Sequence, residues 1–212
     1  MADYLNTLSE AVQKGDRGLV AKTVSEALEA GMAPLDILDG GLIPGIQVLG
    51  ERFSDGRAYL PEILISTRAM RNGLEVLRPH LEGVEVPKKG VVVTGTAEGD
   101  MHDIGKNLVK IMLESNGYEV EDLGSDVTAD DFVTAATRTK ADIVAISALL
   151  TTTMVCIPDV VKALEQAGLK GRVKVMIGGA PVTRAFADEV GAEGYADDCA
   201  SAVAEAARLL DV

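Results

Sequence analysis

The sequence predicts an α/β protein that begins with a helical domain, and two observations support this. In residues 1–86, apolar side chains recur at helical spacing. From Gly90 onward, short Val- and Ile-rich runs alternate with helical stretches. Parallel strands need such helical crossovers. We therefore predict a four-helix bundle over residues 1–86, followed by a flavodoxin-like (Rossmann-type) five-stranded parallel sheet over residues 90–212.

The helices of the first domain follow from spacing and from helix-stopping residues. Two early segments carry apolar residues every three or four positions: Leu5, Leu8 and Val12, then Val20, Val24 and Leu28. Gly31 ends the second helix. A third begins near Pro34, because proline is favoured in the first helical turn, and runs towards Phe53. A fourth starts at Pro61 and ends near Leu81, and residues 82–89 form a linker.

The strands of the second domain are short runs rich in β-branched residues: Val91–Thr94, Tyr118–Leu123, Ile143–Ser147, Val173–Ile177 and a weak fifth run near Gly194 and Tyr195. The helical stretches between them lie at Lys106–Asn116, Ala129–Thr139 and Ile157–Ala167. Five such strands fit the order 2-1-3-4-5, in which ligands bind outside the carboxyl ends of the first and third strands.

Composition and charge restrict the partners. The chain has 20 Lys and Arg against 33 Asp and Glu, and its net charge of −13 repels phosphate backbones and anionic membrane surfaces. We expect neither nucleic acid nor a membrane as a partner. The N-terminus does not resemble a signal peptide and no apolar run reaches membrane-spanning length, so we expect a cytoplasmic protein. Cys156 and Cys199 form no CxxC motif, which argues against a disulfide framework.

The loop after the first strand has an unusual composition. From Gly95 to Gly105 it holds three glycines, three carboxylates and one of the two histidines. Asp100 precedes His102 by two residues and can accept a hydrogen bond from one ring nitrogen, which leaves the other nitrogen facing the crevice. A carboxylate behind an imidazole fixes its tautomer and strengthens the donor nitrogen, as around metal-bound histidines.

Two further loops reach the same edge of the predicted sheet. The third strand ends in Ser147, Ala148 and Leu149 before the hydroxyl run 151–153, and the fourth ends in the run 178–180, Gly-Gly-Ala. Alone, each feature has an ordinary interpretation: the hydroxyl run as a helix N-cap, the glycine pair as a turn, and DxHxxG as chance. Together at one crevice they favour a binding site.

The motif residues occur in a recognisable order: Asp100-x-His102-x-x-Gly105, Ser147-x-Leu149 and Gly178-Gly179. This arrangement resembles the signature of cobalamin-binding proteins that hold their cofactor with its own base displaced and a histidine on cobalt. The segment from Phe53 to Ile63 is similar to the cap segment of the helical domain in methionine synthase and corrinoid methyl-transfer proteins. Size and domain order are most similar to the corrinoid proteins of methanol, methylamine and betaine methyltransferase systems.

The resemblance implies a role for each motif residue and a B12-binding second domain. His102 is the implied lower axial cobalt ligand, with Asp100 hydrogen-bonded behind it and Thr153 extending a proton relay. Methionine synthase has serine at the position matching Thr153, so this chain departs from it but keeps a hydroxyl. The remaining implied contacts to the cofactor come from all three loops: Gly99, Met101, Asp103, Ile104, Gly105, Ser147, Leu149, Thr151, Gly178, Gly179 and Ala180.

The helical domain is, by the same resemblance, a cap over the upper face of the corrin. Phe53, Leu60 and Ile63 would shield that face, although apolar residues at this spacing are also typical of ordinary core. The implied function is a methyl carrier between a substrate-specific methyltransferase and an acceptor methyltransferase that serves coenzyme M or tetrahydrofolate. A reductive activation protein is a third implied partner. Methanol, methylamines, betaines and aryl methyl ethers stay open as donors.

Three other interpretations fit less well. Glu121 and Asp122 at the end of the second strand favour a nicotinamide-binding oxidoreductase, but Gly95 and Gly99 do not make GxGxxG. A phospho-acceptor receiver domain needs an aspartate where Ser147 stands. A B12-binding sensor or regulator shares the cobalamin motif but normally needs a DNA-binding module, and the sequence shows no basic helix for one.

Overall fold

The computed structural model of the chain describes residues 2–81 and 88–212. These residues form two compact units, and the division falls between Pro87 and Lys88. Most of the predicted linker, residues 82–87, lies outside the described residues. No helix in the described ranges is both long enough and apolar enough to cross a membrane.

The first unit is built from helices that bury one apolar face each. Its elements are α1 (Ala2–Lys14), α2 (Arg17–Glu29), α3 (Pro34–Ile37), a π-helical segment (Leu38–Leu42), α4 (Ile43–Ser54) and α5 (Leu60–Leu81). Leu8, Val12, Val20 and Val24, predicted to share two helix faces, have no exposed surface. Gly45 lets α4 approach α1 closely, because a Cβ there would lie 2.7 Å from Val12 Cβ.

The predicted third helix has the expected extent, from Pro34 towards Phe53, with one irregularity inside it. The π-helical segment, which contains the sequence Leu-Asp-Gly-Gly-Leu, separates α3 from α4. Glycines weaken the α-helical preference, and an apolar spacing pattern does not distinguish an α-helical turn from a π-helical one.

The second unit contains a five-stranded sheet whose strands all run parallel. The strands are β1 (Val91–Thr96), β2 (Glu119–Asp122), β3 (Ile143–Ser147), β4 (Lys174–Gly178) and β5 (Gly194–Ala196). Their order is β2-β1-β3-β4-β5, which confirms the predicted topology. The helices are α6 (Ile104–Ser115), α7 (Ala129–Thr139), α8 (Thr151–Met154), α9 (Ile157–Gln166), α10 (Arg184–Val190) and α11 (Cys199–Leu210).

Apolar side chains fill both faces of this sheet. On one face Phe132 of α7 and Leu164 of α9 pack against Val93 and Val144, and on the other Leu113 of α6 and Ala206 of α11 pack against Val92. This double coverage is what the continuous Val- and Ile-rich runs predict for parallel strands.

The hydroxyl run does not cap a longer helix. Thr151–Met154 is a separate turn, α8, whose N-cap residue is Leu150, and α9 has no side-chain cap at Cys156. The Thr153 side chain is therefore available for another contact.

The strand register brings three loops to one place. Thr96 of β1 is paired with Ser147 of β3, and Ser147 with Gly178 of β4. Because these residues end their strands, the following segments leave the sheet side by side. We call residues 97–103 the His loop, residues 148–150 the β3 loop and residues 179–183 the β4 loop.

Candidate functional site

Asp100 is the centre of the His loop, and its side chain has no exposed surface. Oδ1 accepts a hydrogen bond from the backbone nitrogen of His102 at 3.0 Å and lies 2.7 Å from the ring Nδ1 of the same residue. Oδ2 accepts from the backbone nitrogen of Leu149 at 2.7 Å and from the hydroxyl of Thr153 at 2.8 Å. One buried carboxylate thus joins the His loop to the β3 loop and to α8.

These hydrogen bonds determine the charge of Asp100. Burial by itself raises the pKa of the carboxyl, because a buried anion loses hydration. The donors from Leu149, Thr153 and His102 together outweigh burial and hold the pKa of Asp100 well below its usual value. Asp100 is therefore an anion that only accepts hydrogen bonds, so Nδ1 of His102 carries the hydrogen between them.

His102 is oriented to offer its second nitrogen. Its side chain is 52% exposed, and since Nδ1 is engaged with Asp100, Nε2 is the nitrogen available to a metal. In the described part of the chain, no group of three or more His, Cys, Asp or Glu could hold a metal ion. A cofactor that already carries most of the ligands of its metal needs only one strong donor from the protein. The residues present therefore fit a corrinoid.

Exposed apolar side chains lie on the segments that follow β1 and β3. Large apolar residues stand exposed on the His loop, at the start of α6, on the β3 loop and at the end of α8: Met101, Ile104, Leu149, Leu150 and Val155. We call these five residues the apolar rim. Apolar surface that a folded domain leaves uncovered beside a polar site is typical of ligand binding.

The β3 and β4 loops pack without room for a side chain between them. The backbone nitrogen of Ala148 donates to the carbonyl of Gly178 at 3.0 Å. Gly179 has φ of +122°, and a Cβ there would lie 1.9 Å from the carbonyl oxygen of Ala148. Only glycine fits this position. Ser147 and Gly178 are half-buried at their strand ends, and Ala180 is exposed.

The end of the His loop is held by the last residue of β1 and by the first turns of α6. The Thr96 hydroxyl donates to the carbonyl oxygen of His102 at 3.0 Å. Asp103 is the N-cap residue of α6 and accepts from the side chain of Asn107 at 3.0 Å. Ile104 and Gly105 form the exposed first turn.

Asp126, in the loop after β2, is a site residue that the sequence reasoning missed. Its Oδ1 accepts from the backbone nitrogen of Gly99 at 2.7 Å, and its own backbone nitrogen donates to the carbonyl of Asp100 at 3.0 Å. The only sequence signal is a turn-like Gly-Ser-Asp after the second strand, which is typical of many loops.

The predicted cap residues belong to the helical unit. Phe53 lies near the end of α4 and Leu60 begins α5, and both are half-buried. Ile63 has no exposed surface, which is typical of a core position. Shielding of a corrin by these three residues stays a prediction.

The acidic residues that favoured a nicotinamide site have other partners. Glu121 forms an ion pair with Arg138, and Asp122 with the buried Lys106. A carboxylate engaged in this way is poorly placed to bind a ribose, which weakens that interpretation.

Comparisons with known proteins agree with this geometry. A B12 binding domain model matches residues 90–207, and a second B12 binding domain model matches residues 4–78. The chain is 42% identical over 209 residues to dimethylamine corrinoid protein 2 of Methanosarcina acetivorans, which covers 98% of this chain and 96% of that protein. It is also 42% identical over 196 residues to trimethylamine corrinoid protein 2 of the same organism, covering 92% and 90%.

Solved structures give the same result. A chain of the methanol:cobalamin methyltransferase complex MtaBC from Methanosarcina barkeri matches with a TM-score of 0.83 and 32% identity, covering 99% of this chain and 83% of that chain. A cobalamin-binding protein from Desulfitobacterium hafniense DCB-2 matches with a TM-score of 0.83 and 29% identity, covering 97% and 98%. The matched models and the relatives span both units, and the chain therefore belongs to the family of B12-binding corrinoid proteins.

Proposed function

We propose that the chain binds cobalamin or a related corrinoid with His102 on cobalt and the cofactor's own base displaced, and that it carries a methyl group between two methyltransferases. The observation that carries this proposal is the contact of 2.7 Å between His102 Nδ1 and the buried Asp100, which leaves Nε2 as the exposed donor. The bound corrinoid would supply the cobalt that accepts and releases the methyl group.

Asp100, His102 and Thr153 are suited to hold and move one proton. The Thr153 hydroxyl lies 2.8 Å from Oδ2 of Asp100 and 3.0 Å from the carbonyl oxygen of Leu150, and it can donate to only one of them at a time. When Asp100 is an anion, Thr153 donates to it. When Nε2 of His102 takes a proton, Asp100 pairs with the resulting imidazolium. If the proton moves on to Oδ2 of Asp100, the resulting carboxylic acid can donate a hydrogen bond to the Thr153 oxygen. The Thr153 hydroxyl then donates to the carbonyl of Leu150 instead.

The remaining residues would bind the cofactor without taking part in proton movement. The apolar rim is suited to the lower face of the corrin, since its large side chains are already exposed. Residues at the ends of β3 and β4 and in the segments that follow them would line the slot for the displaced nucleotide: Ser147, Leu149, Thr151, Gly178, Gly179 and Ala180. Phe53, Leu60 and Ile63 of the helical unit would keep water from the upper face and uncover it for a partner.

A methyltransferase partner is supported by the match to a chain of the methanol:cobalamin methyltransferase complex, whereas the acceptor and the activation protein rest on the family resemblance. We assign the chain a substrate-specific methyltransferase as donor and a coenzyme M or tetrahydrofolate methyltransferase as acceptor, with a reductive activation protein as the third partner. Identity of 42% to the dimethylamine and trimethylamine corrinoid proteins, against 32% to the methanol complex, favours a methylamine donor.

The pure protein with corrinoid, reductant and acceptor should show no multiple turnover of methylamines, methanol or betaines. Steady turnover by the chain alone would contradict the carrier role. A cytoplasmic location stays a prediction.

The central test is the visible spectrum of reconstituted His102→Ala. The variant should be base-off at neutral pH, because it lacks the donor nitrogen. Lowering the pH should convert the wild-type spectrum from His-on to base-off, since protonation competes with cobalt, and the variant should not respond. His80→Ala is the matched control, because His80 lies in the last turn of α5 and should leave the spectrum unchanged. If His102→Ala keeps the wild-type spectrum and pH response, the proposal is wrong.

A further inference from the structure

Asp126 has a backbone conformation that its position in the chain does not explain. Three of the described non-glycine residues have positive φ: Asp126 at +58°, Lys140 at +56° and Asp211 at +55°. Lys140 and Asp211 follow the ends of α7 and α11, where a left-handed residue commonly ends a helix. Asp126 lies between β2 and α7 and ends no helix. A left-handed backbone conformation costs a non-glycine residue free energy, so surrounding contacts must stabilise it.

Those contacts are all with the His loop. Oδ1 of Asp126 accepts from the backbone nitrogen of Gly99 at 2.7 Å, and the Asp126 nitrogen donates to the carbonyl of Asp100 at 3.0 Å. Gly99 itself has φ of +79° and immediately precedes Asp100. Asp126 thus forms hydrogen bonds with the backbone on both sides of the peptide bond between Gly99 and Asp100.

Neighbouring backbone bonds extend the sheet into this region. The nitrogen of Thr96 donates to the carbonyl of Gly124 at 3.0 Å, and the nitrogen of Val127 donates to the carbonyl of Thr96 at 3.0 Å. Ala97 and Val127 form a further parallel bridge. The loop after β2 is therefore anchored to the last residue of β1 and to the His loop, at residues 96, 97, 99 and 100.

Asp100 is consequently held from two directions. Leu149 and Thr153 bind its carboxylate from the β3 side, and Asp126 binds its backbone from the β2 side. Glycine at position 99 has no side chain to restrict its dihedral angles, so the Asp126 contact supplies the restriction.

We propose that Asp126 is a positioning residue, which holds the Gly99–Asp100 backbone so that Asp100 presents His102 to cobalt. This rests on the proposed function, because the orientation matters only if His102 binds the metal. Asp126 acts through its acceptor oxygen and its left-handed backbone, and its charge is not required.

Substitutions at this position separate the two requirements. Asp126→Gly permits the left-handed backbone but removes the acceptor, whereas Asp126→Asn keeps both an acceptor oxygen and a preference for this conformation. Lys140→Gly is the matched control. It also replaces a residue of left-handed backbone conformation by glycine and so relieves the same backbone strain, but at the end of α7 and not at the His loop. Full-length protein is used throughout.

The first measurement is hydrogen exchange of the Gly99 amide in the cofactor-free protein. Exchange should be faster in Asp126→Gly and unchanged in Asp126→Asn and Lys140→Gly. The second is the ratio of His-on to base-off spectra of bound cobalamin, at the pH where the wild-type protein is half His-on. Asp126→Gly should lower this ratio by about threefold to tenfold, the effect of one hydrogen bond, and Asp126→Asn should restore it.

The outcomes separate this inference from the proposed function. Unchanged Gly99 exchange and an unchanged spectral ratio in Asp126→Gly would overturn the positioning role, while His102→Ala would still report on cobalt ligation. A loss in Asp126→Asn as large as in Asp126→Gly would overturn it too, since the amide keeps the acceptor. If His102→Ala leaves the spectrum unchanged, the proposed function is what fails.

Discussion

The backbone nitrogen of Leu149 donates to Oδ2 of Asp100 at 2.7 Å, although the two residues are 49 positions apart in the sequence. The carboxylate that orients His102 therefore also holds the β3 loop, from which Leu149 and Leu150 contribute to the apolar rim. Ligand orientation and loop position are coupled through this one side chain.

We expect Asp100→Asn to disturb both the orientation of His102 and the position of the β3 loop. Four donors converge on the carboxylate, and an amide has only one acceptor oxygen, so at least one backbone nitrogen must face the amide NH2 group. The cofactor-free variant should lose about 1–3 kcal/mol of stability in urea unfolding. Its Kd for cobalamin, measured by equilibrium dialysis, should rise by about 10- to 100-fold. Asp188→Asn, at an exposed position of α10, is the control. Wild-type stability and Kd in Asp100→Asn would contradict this account.

Gly179→Ala should be far more damaging than an alanine at another glycine of positive φ. A Cβ at Gly179 would lie 1.9 Å from the carbonyl oxygen of Ala148, whereas a Cβ at Gly168, with φ of +70°, meets nothing within 4 Å. Gly168→Ala should cost about 1–2 kcal/mol from backbone strain alone. Gly179→Ala should cost at least about 3 kcal/mol or fail to fold. Urea unfolding of both variants tests this, and equal losses would show that the close approach is unimportant.

Stability of the α/β unit should fall in acid partly through Glu205. A hydrogen bond from Arg208 is the largest cause that lowers the pKa of Glu205 to about 2, opposed by burial and assisted by the backbone of Tyr195 and the side chain of Arg184. A depressed carboxyl pKa contributes stability that is present above the ordinary value of 4.5 and is lost as the pH falls towards 2.

Glu205→Gln should therefore lose less stability than the wild type between pH 5 and pH 2.5. We expect a difference of about 2 kcal/mol, discounted because the arginine partners are half-exposed. Urea unfolding at the two pH values measures it. Glu165→Gln, which removes the exposed ion pair with Lys170, should behave as the wild type does. If Glu205→Gln and the wild type lose the same free energy of unfolding between pH 5 and pH 2.5, Glu205 does not make this contribution.

Leu60→Ala should expose the cofactor if the helical unit covers it. Methylcobalamin bound to the variant should be photolysed and reoxidised faster than in the wild type, because oxygen and water reach cobalt more easily. Leu74→Ala is the matched control, since Leu74 is also half-buried and lies about 21 Å further along α5. If Leu60→Ala only lowers folding stability and leaves both rates unchanged, Leu60 is a core residue and not a shield.

Local pattern predicted most of the secondary structure and the candidate ligand. Spacing of apolar residues predicted the helix faces of α1 and α2, whose Leu8 and Val20 are buried. The short β-branched runs predicted β1 and β3, the helical stretches between them predicted parallel strands, and the number of strands fitted the flavodoxin-like order that the sheet has. The Asp100–His102 pairing was also predictable, because residues two apart in a loop meet through local geometry. The π-helical segment was not, since its apolar residues repeat almost as those of an α-helix do.

The sequence by itself determined the chemistry of the site: one histidine, a carboxylate two residues before it, a hydroxyl run and a glycine pair. The tertiary structure decided which groups contact Asp100. Leu149 and Thr153 reach it because Thr96 and Ser147 pair in register, and Asp126 reaches Gly99 because the pairing of β1 with β2 continues past the strand ends. A periodic pattern reports which side chains are buried locally. Hydrogen bonds between loops depend on strand register and loop path, which are set by packing over the whole sheet.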